Sequence, residues 1–365
     1  MKRLITALGL TGAMALASAA TAQTTLVYGS PSSPDGPEAT AFKAFAERVT
    51  ETSGGEIAFD DSYSGSVVSW GTSLTGVRDS LVDGAFLTPA FNPSELPATF
   101  AFILLAAAPG ELNARTAAVA ETALFGCPQC QQEWKKFNIT PLLFSGSDPF
   151  QLMCKPEVSS LVDMEGKTVR AAGPFAKYVE AVGGTPVSIV PSELFEALQR
   201  GQVDCALGGV GWLRQFGLGD VVEHIVDEPL GYDHVRMPLV MNSDSWDGLS
   251  DAHKDAFISN LGFMHAEANA ANTNFAMQAV EEGVGKGIKI VAMADDMRDA
   301  GNRFRDTSYD YVVAGATGMG VDGADQLVAT FRTNLDKWNG IMADVGDDRA
   351  AYEAALQREI YDRLK

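Results

Sequence analysis

Short runs of β-branched and aromatic residues alternate with helical apolar stripes along this chain, and this alternation restricts its fold more than any other feature. The stripe Phe42, Phe45 and Val49 has the spacing of an amphipathic helix. The pattern predicts strands at 25–28, 57–59 and 82–87 around two helices, and at 167–170, 186–190 and 203–207 around two more. Such repeats are typical of doubly wound parallel sheets. Two units of this kind predict two α/β lobes that face a cleft.

The pattern changes in the last third of the chain. Residues 238–242 predict a long strand, and residues 287–293 predict another. Between them, an unusually long proline-free stretch runs from Ser250 to about Val284 and predicts one long helix, with a bend expected at Gly262.

The first 22 residues have the layout of an export signal. Lys2 and Arg3 precede an uncharged apolar run, and Ala20-Thr21-Ala22 provides the small residues of a cleavage site. The alternative is an N-terminal membrane anchor, but the run is shorter than the ~20 apolar residues that a span needs. We therefore expect cleavage after Ala22 and export to a bacterial periplasm.

Composition excludes several classes of function. The 365 residues include 47 Asp+Glu against 27 Lys+Arg, for a net charge of −20. Nucleic-acid binding needs a basic stripe, and none is visible. A content of 46 % hydrophobic and 20 % charged residues is that of a globular protein. The length suggests two domains.

Four cysteines in an exported chain predict disulfides. They are Cys127, Cys130, Cys154 and Cys205, which allow three connectivities. We favour Cys127–Cys130 together with Cys154–Cys205. The alternatives for Cys127-Pro-Gln-Cys130 are a redox pair and half of a zinc site, although no paired histidines accompany it.

No enzyme motif is visible. The chain lacks H-E-x-x-H, a P-loop and a G-x-G-x-x-G that follows a strand. The run Ser145-Gly146-Ser147 lacks the glycine spacing of a nucleophile elbow. We therefore expect a binding protein with no catalytic residue, metal or cofactor.

Arg170 is the main candidate for ligand contact. It ends a predicted strand and precedes Ala171-Ala172-Gly173, where a ligand can approach the backbone. A guanidinium there can hold a carboxylate by two parallel hydrogen bonds, and open α/β sheets bind ligands beyond the carboxyl ends of their strands. The alternatives are a surface arginine beside a turn and an arginine paired with a local aspartate.

Aromatic residues at predicted strand ends and in loops form a second group of candidates, because such walls exclude water from a cleft. An ordinary place in the hydrophobic core is the alternative for each of them. The candidates are Trp70, Phe91, Phe150, Phe175 and Trp212. For His234, a satisfied core position is the favoured interpretation.

Three motifs carry a family resemblance. They are Asp163-Met164-Glu165-Gly166-Lys167-Thr168-Val169-Arg170, Gly183-Gly184-Thr185-Pro186-Val187, and residues 191–204, which read PSELFEALQRGQVD. The chain resembles the DctP-type solute-binding proteins of TRAP (tripartite ATP-independent periplasmic) transporters over essentially all of residues 24–365. Supporting matches include His234 eight residues before Asn242.

The resemblance implies a two-lobed, type II-like periplasmic binding protein fold, in which each lobe is a sheet flanked by helices and a long helix spans both lobes. Residues 23–150 then form mainly lobe 1 and residues 151–235 mainly lobe 2. Residues 236–365 supply a hinge strand, the long helix and C-terminal helices that pack on both lobes.

The resemblance also implies a function. The protein would close on a small organic acid and deliver it to the small and large membrane permease subunits, with Arg170 at the family's carboxylate-binding position. Phe150 or Gln151 stands where many relatives have a second arginine, and Gly208 stands near the position of an asparagine. A zwitterionic osmolyte, polyol or amine is the alternative ligand, and a sensor-associated binding protein is the alternative role. The cysteines at 154 and 205 resemble a subgroup in which they pair.

Overall fold

The computed structural model describes residues 23–365, and the predicted signal peptide 1–22 lies outside the described residues. The strands are β1 (Thr24–Gly29), β2 (Ile57–Ser62), β3 (Gly84–Leu87), β4 (Ile139–Ser145), β5 (Pro149–Cys154), β6 (Thr168–Arg170), β7 (Thr185–Val187), β8 (Cys205–Gly209), β9 (His224–Val226), β10 (Gly231–Tyr232), β11 (Arg236–Asn242) and β12 (Lys289–Val291). The helices are α1 (Pro37–Thr52), α2 (Ser73–Arg78), α3 (Pro97–Leu104), α4 (Leu112–Phe125), α5 (Pro128–Lys136), α6 (Leu161–Met164), α7 (Pro174–Ala181), α8 (Leu194–Gln199), α9 (Trp212–Gln215), α10 (Ser243–Asp247), α11 (Asp251–Ile258), α12 (Leu261–Gly285), α13 (Asp295–Asp306), α14 (Ser308–Gly318), α15 (Ala324–Val345) and α16 (Arg349–Glu359). Two sheets flanked by helices result, which is the α/β architecture expected.

The first sheet has the strand order β2-β1-β3-β11-β4. Strands β1, β2 and β3 are parallel, as the sequence pattern predicts. Strand β11 is antiparallel to both β3 and β4, so the sheet is mixed rather than fully parallel. Its partner helix α1 begins at Pro37 and buries Phe42, Phe45 and Val49, and the positive φ angles of Gly54 and Gly55 follow its end.

The second sheet has the order β12-β9-β5-β8-β6-β7, and β10 pairs with β5. Strands β6, β7 and β8 are parallel, whereas β5 is antiparallel to β8 and β9. One face packs against α7 and α13 through Phe175 and Met297. The other face packs against α8, α9 and α12 through Leu198, Trp212 and Ala276. Both faces of this sheet are therefore buried.

Two short connections join the sheets, and they place the two carboxyl edges opposite each other. Residues 146–148 lead from the end of β4 to the start of β5, and residues 233–235 lead from β10 to β11. The connections are themselves paired, because the N–H of Ser147 donates to the carbonyl of Asp233 at 2.6 Å. In both sheets these connections meet the edge at which the parallel strands end. The space between these edges is the cleft of the molecule.

The long helix differs from the sequence prediction at one point. Residues 250–284 form two helices, α11 and α12, because the chain breaks at Ser259 and Asn260 rather than bending at Gly262. Gly262 instead lies against the backbone of Glu353 in α16, where a Cβ atom would come within 2.8 Å. Helix α12 contacts α1 and β4 on one side and α9 on the other, so it spans both sheets.

Two other local predictions were wrong. The spacing of Leu74, Val77 and Leu81 predicts one helical stripe, but α2 ends at Arg78 and the side chain of Leu81 is 60 % exposed. The strand predicted at 186–190 ends at Val187, so residues 188–190 are loop. In both places an apolar residue continues the sequence pattern beyond the end of the element.

The four cysteines form the bridges Cys127–Cys130 and Cys154–Cys205. The first closes the N-terminal turn of α5. The second joins directly opposite residues of β5 and β8 in the core of the second sheet. Both bridges are buried, and no cysteine among residues 23–365 is free.

Candidate anion-binding site between the two sheets

Arg170 lies at the carboxyl edge of the second sheet, as the last residue of β6. Its Nε donates to the carbonyl of Ile189 at 2.9 Å, and its Nη1 donates to the carbonyl of Leu207 at 3.3 Å. Of the five N–H bonds of a guanidinium, three therefore remain. Within residues 23–365 the structure shows no ion pair to Arg170, so the alternative of a local aspartate partner does not hold.

The charge of Arg170 is not compensated by the protein around it. The residue is only 7 % exposed. Burial lowers the pKa of Arg170 to about 10, and no neighbouring acid acts to raise it. A bound anion would supply the missing counter-charge, and its hydrogen bonds would fall on the free Nη groups.

Trp212 covers one face of this arginine. The guanidinium carbon lies 4.9 Å from the centre of the indole ring, which is cation–π distance. The indole in turn lies directly on Gly208, where a Cβ atom would come within 2.0 Å of Cζ3. The ring therefore occupies the space that a side chain at position 208 would need.

Phe150 and Phe175 extend the wall formed by Trp212. Phe150 is the second residue of β5 and lies opposite Gly209. Its ring is stacked on Phe175 at 5.0 Å and meets Trp212 edge-on at 5.7 Å. The structure thus brings together four of the six predicted ligand-binding residues at one edge of the second sheet.

Trp70 and Phe91 form a separate pair at the facing edge. Trp70 lies in the loop after β2, and Phe91 ends the turn after β3. Their rings are 5.5 Å apart, and Trp70 also packs on Phe86. No ring contact joins this pair to the Trp212 group among residues 23–365. Phe91 is 50 % exposed, which leaves its ring free to meet a ligand or the opposite wall.

A buried charge cluster, which the sequence analysis missed, connects the two edges. Arg236 at the start of β11 forms an ion pair with Glu38 in the first turn of α1 and lies 3.5 Å from Asp233. It also donates to the amide oxygen of Asn272 in α12 at 3.3 Å. Burial opposes the charge of Arg236, but Glu38, Asp233 and Asp148 together raise its pKa.

A second buried arginine lies away from this edge. Arg115 in α4 donates to the carbonyls of Leu105 and Ala106, at 2.6 and 3.1 Å, and contacts Nδ1 of His234 at 3.1 Å. The Nε2 of His234 lies 3.0 Å from the carbonyl of Phe102. Nδ1 also lies 3.0 Å from the carbonyl of Tyr232. A proton on Nε2 donates to Phe102 and leaves Nδ1 to accept from Arg115. His234 is therefore a fully buried core residue, as the favoured interpretation proposed.

The described part of the chain contains no group of three or more His, Cys, Asp or Glu side chains placed to hold a metal ion. Two cavities of about 510 and 480 Å³ lie beside Arg115 and under α12, and neither of them is lined by Arg170. Arg170 is the candidate anion-binding residue because it lies where the carboxyl edges of the two sheets face each other, not because it lines a closed cavity.

Residues 28–313, most of the chain, match the family described as bacterial extracellular solute-binding protein, family 7, or DctP. The chain belongs to the DctP family. Members of this family bind solutes and are not enzymes, which confirms the resemblance and the prediction of a binding protein. Within residues 23–365, no helix of this DctP protein is both long enough and apolar enough to cross a bilayer.

Solved structures of TRAP periplasmic solute-binding proteins have the same fold. One from Desulfovibrio salexigens is 20 % identical, covers 87 % of this chain and 98 % of its own, and has a TM-score of 0.74. One from Bordetella bronchiseptica with bound mandelate is 20 % identical, with 86 % and 99 % coverage and a TM-score of 0.70. One from Rhodoferax ferrireducens with copurified benzoate is 16 % identical, with 87 % and 99 % coverage and a TM-score of 0.73. These similarities establish the two-lobed fold of the DctP protein.

Proposed function

We propose that this protein is a periplasmic solute receptor that closes on a small organic acid between its two sheets. The proposal rests above all on one observation: Arg170 is a buried cation that has no acidic partner among the described residues and lies at the edge facing the other sheet. The carboxylate would bind to the free Nη groups, and closure would remove it from water. Because only a ligand that favours the closed form shifts the equilibrium, contacts to both edges are required.

The residues around Arg170 support an acid with an apolar, ring-shaped body. Trp212, Phe150 and Phe175 form one wall, and the exposed ring of Phe91 stands at the opposite edge. Rings prefer offset or edge-on contacts with such walls. The structurally similar proteins that hold mandelate and benzoate are consistent with this class of ligand.

Export and delivery complete the proposal. Cleavage after Ala22 would release residues 23–365 into the periplasm, where the closed form would present its solute to the small and large TRAP permease subunits. Uptake of the identified acid by cells that carry both subunits, with and without the receptor, tests this step. A role in sensing would leave uptake unchanged when the receptor is removed.

A thermal-shift screen of residues 23–365 tests the ligand class. The acids are benzoate, mandelate and pyroglutamate, with benzamide as the neutral counterpart of benzoate, together with osmolytes, polyols and amines. We expect Tm to rise with an acid and not with benzamide, because a ligand that binds only the folded state stabilises it. Arg170→Ala should abolish the shift.

Arg200→Ala is the matched control, because this arginine follows α8, which packs on the second sheet, and is exposed and paired with Glu196. It should retain the full shift. A shift from a neutral or cationic solute that survives Arg170→Ala would keep the receptor and overturn the carboxylate site.

A further inference from the structure

Asp148 lies beside the carboxyl edge of the second sheet, where Arg170 is located. It is the last residue of the connection 146–148 and is only 6 % exposed. Its Oδ2 accepts the N–H of Gly211 at 2.6 Å. Gly211 directly precedes α9, whose first residue is Trp212, the residue that covers Arg170. This hydrogen bond therefore ties the connection 146–148 to the wall of the binding site.

The carboxyl group of Asp148 packs directly against two glycines. A Cβ atom at Gly209 would lie 2.6 Å from Oδ2 of Asp148, and one at Gly211 would lie 3.2 Å from the same oxygen and 3.1 Å from Phe275. Both glycines are thus needed for Asp148 to reach the backbone of Gly211. Phe275 in α12 closes the far side.

The charged groups that act on Asp148 come from two other elements. Arg236 in β11 favours the ionised carboxylate, whereas Glu38 in α1 disfavours it. Arg236 is shared with Glu38 and Asp233, so one cation faces three carboxylates. Helix α12 contributes the neutral side chains of Asn272 and Phe275. Burial raises the pKa of Asp148 to about 6, with the Gly211 N–H and Arg236 opposing this effect.

We propose that Asp148 is a positioning residue of the binding site: its carboxyl oxygen holds Trp212 against Arg170, and its charge opposes the binding of an anion there. The oxygen can accept the Gly211 N–H in either protonation state. The charge, in contrast, disappears when the carboxyl group is protonated. Affinity for a carboxylate should therefore rise as the pH falls through about 6. The inference rests on the proposed function of Arg170 as the anion site.

The positioning role can be tested without any ligand. Labelling of tryptophan with ¹⁵N gives five indole signals, and Trp212→Phe identifies that of Trp212. In the wild type this signal should shift with pH, with a midpoint near 6. In Asp148→Asn, which keeps an acceptor oxygen and loses the charge, the shift with pH should vanish. A pH-independent signal in the wild type, or the same titration in Asp148→Asn, would overturn the proposal.

The affinity for benzoate then separates the effect of the carboxyl oxygen of Asp148 from the effect of its charge. At neutral pH, Asp148→Asn should bind benzoate more tightly, by on the order of fivefold because a like charge beside the site is removed, and without pH dependence. Asp148→Ala loses the acceptor as well as the charge and should bind about tenfold more weakly than Asp148→Asn. A loss of affinity in both variants would indicate a purely structural residue and contradict the proposal. If the wild type does not bind benzoate, the proposed ligand class fails, and the indole titration still decides the role of Asp148.

Discussion

Arg170 and Arg115 are both buried arginines whose pKa is lowered to about 10 by burial, and neither forms an ion pair within residues 23–365. Their surroundings differ. Arg115 is completely buried: its Nη2 bonds to two carbonyls and a histidine ring, and its Nε has no hydrogen-bond partner among the described residues. Arg170 keeps three free N–H bonds at the edge of a cleft. Burial without a counter-charge is therefore not enough to identify an anion site, and access to the cleft decides between the two.

The cavity beside Arg115 reinforces this difference. Glu111, Asp227 and Glu228 line it together with Arg115 and Arg305, so the carboxylates outnumber the arginines and disfavour an anion. Arg115 instead joins residues 105–106 to the connection 233–235 through its contact with His234. We assign Arg115 to stability and Arg170 to binding, and each prediction below tests that division.

Arg115→Met should cause the largest loss of stability. It leaves two buried carbonyls and Nδ1 of His234 without their donor, at about 1–3 kcal/mol for each lost partner and about 4 kcal/mol in total. Urea unfolding measures the change. Arg170→Met, the matched variant, also removes a buried charge without an ion pair, but it gives up only two hydrogen bonds at an edge that water can reach, and it should lose about 1–2 kcal/mol. Equal losses in the two variants would remove the distinction between them.

Removing the Cys154–Cys205 bridge should lower the stability of the second sheet without changing ligand affinity. Its sequence separation of 51 predicts a loss of about 4 kcal/mol in the double alanine variant, against about 2 kcal/mol for Cys127–Cys130 with a separation of 3. Urea unfolding of both variants checks the order. Affinity should change little, because strand pairing still holds β5 against β8. A large loss of affinity would show that the site depends on the bridge.

Acidification should destabilise the protein through the histidine bound to Arg115. Burial and then Arg115 hold the pKa of His234 well below 6.5. His234 therefore stays unprotonated in the folded state, whereas in the unfolded chain it gains a proton below pH 6.5. The free energy of unfolding should therefore decrease as the pH falls, by about 2 kcal/mol at about pH 5. His234→Gln should remove about 1.4 kcal/mol per pH unit of this slope. An unchanged slope in urea unfolding would contradict this assignment.

Two smaller effects concern the aromatic walls. Trp212→Ala removes the ring that covers Arg170 and should weaken binding of the acid about tenfold, or ~1.4 kcal/mol. Phe91→Ala at the exposed facing edge should weaken it about threefold. Isothermal titration calorimetry measures both. A larger effect at Phe91 than at Trp212 would place the main ligand contacts on the first sheet.

Much of this arrangement could be predicted from the sequence where local chemistry determines it. The stripe of Phe42, Phe45 and Val49 forms α1, and Arg170 ends a strand at a sheet edge, as both patterns indicate. The break between α11 and α12 was missed because a distant residue stabilises it: Gln357 in α16 accepts the N–H of Gly262 and donates to the carbonyl of Ile258.

The charge cluster could not be predicted in this way. Glu38 and Arg236 are 198 residues apart, and their ion pair exists only because the two connections bring the sheets together. Asp148 carries no motif, and its role depends on Gly209 and Gly211 lacking side chains. Its place in a short segment between two predicted strands is the one signal that could have pointed to it.

The affinity of the Arg170→Met variant for its best-binding acid tests the central claim most directly. Isothermal titration calorimetry of the wild type, Arg170→Met and the exposed control Arg200→Ala would be compared at one pH. We predict a loss of at least about 100-fold for Arg170→Met, or ~2.7 kcal/mol, and no change for Arg200→Ala. Retained affinity in a folded Arg170→Met variant would contradict the assignment of Arg170 as the anion site.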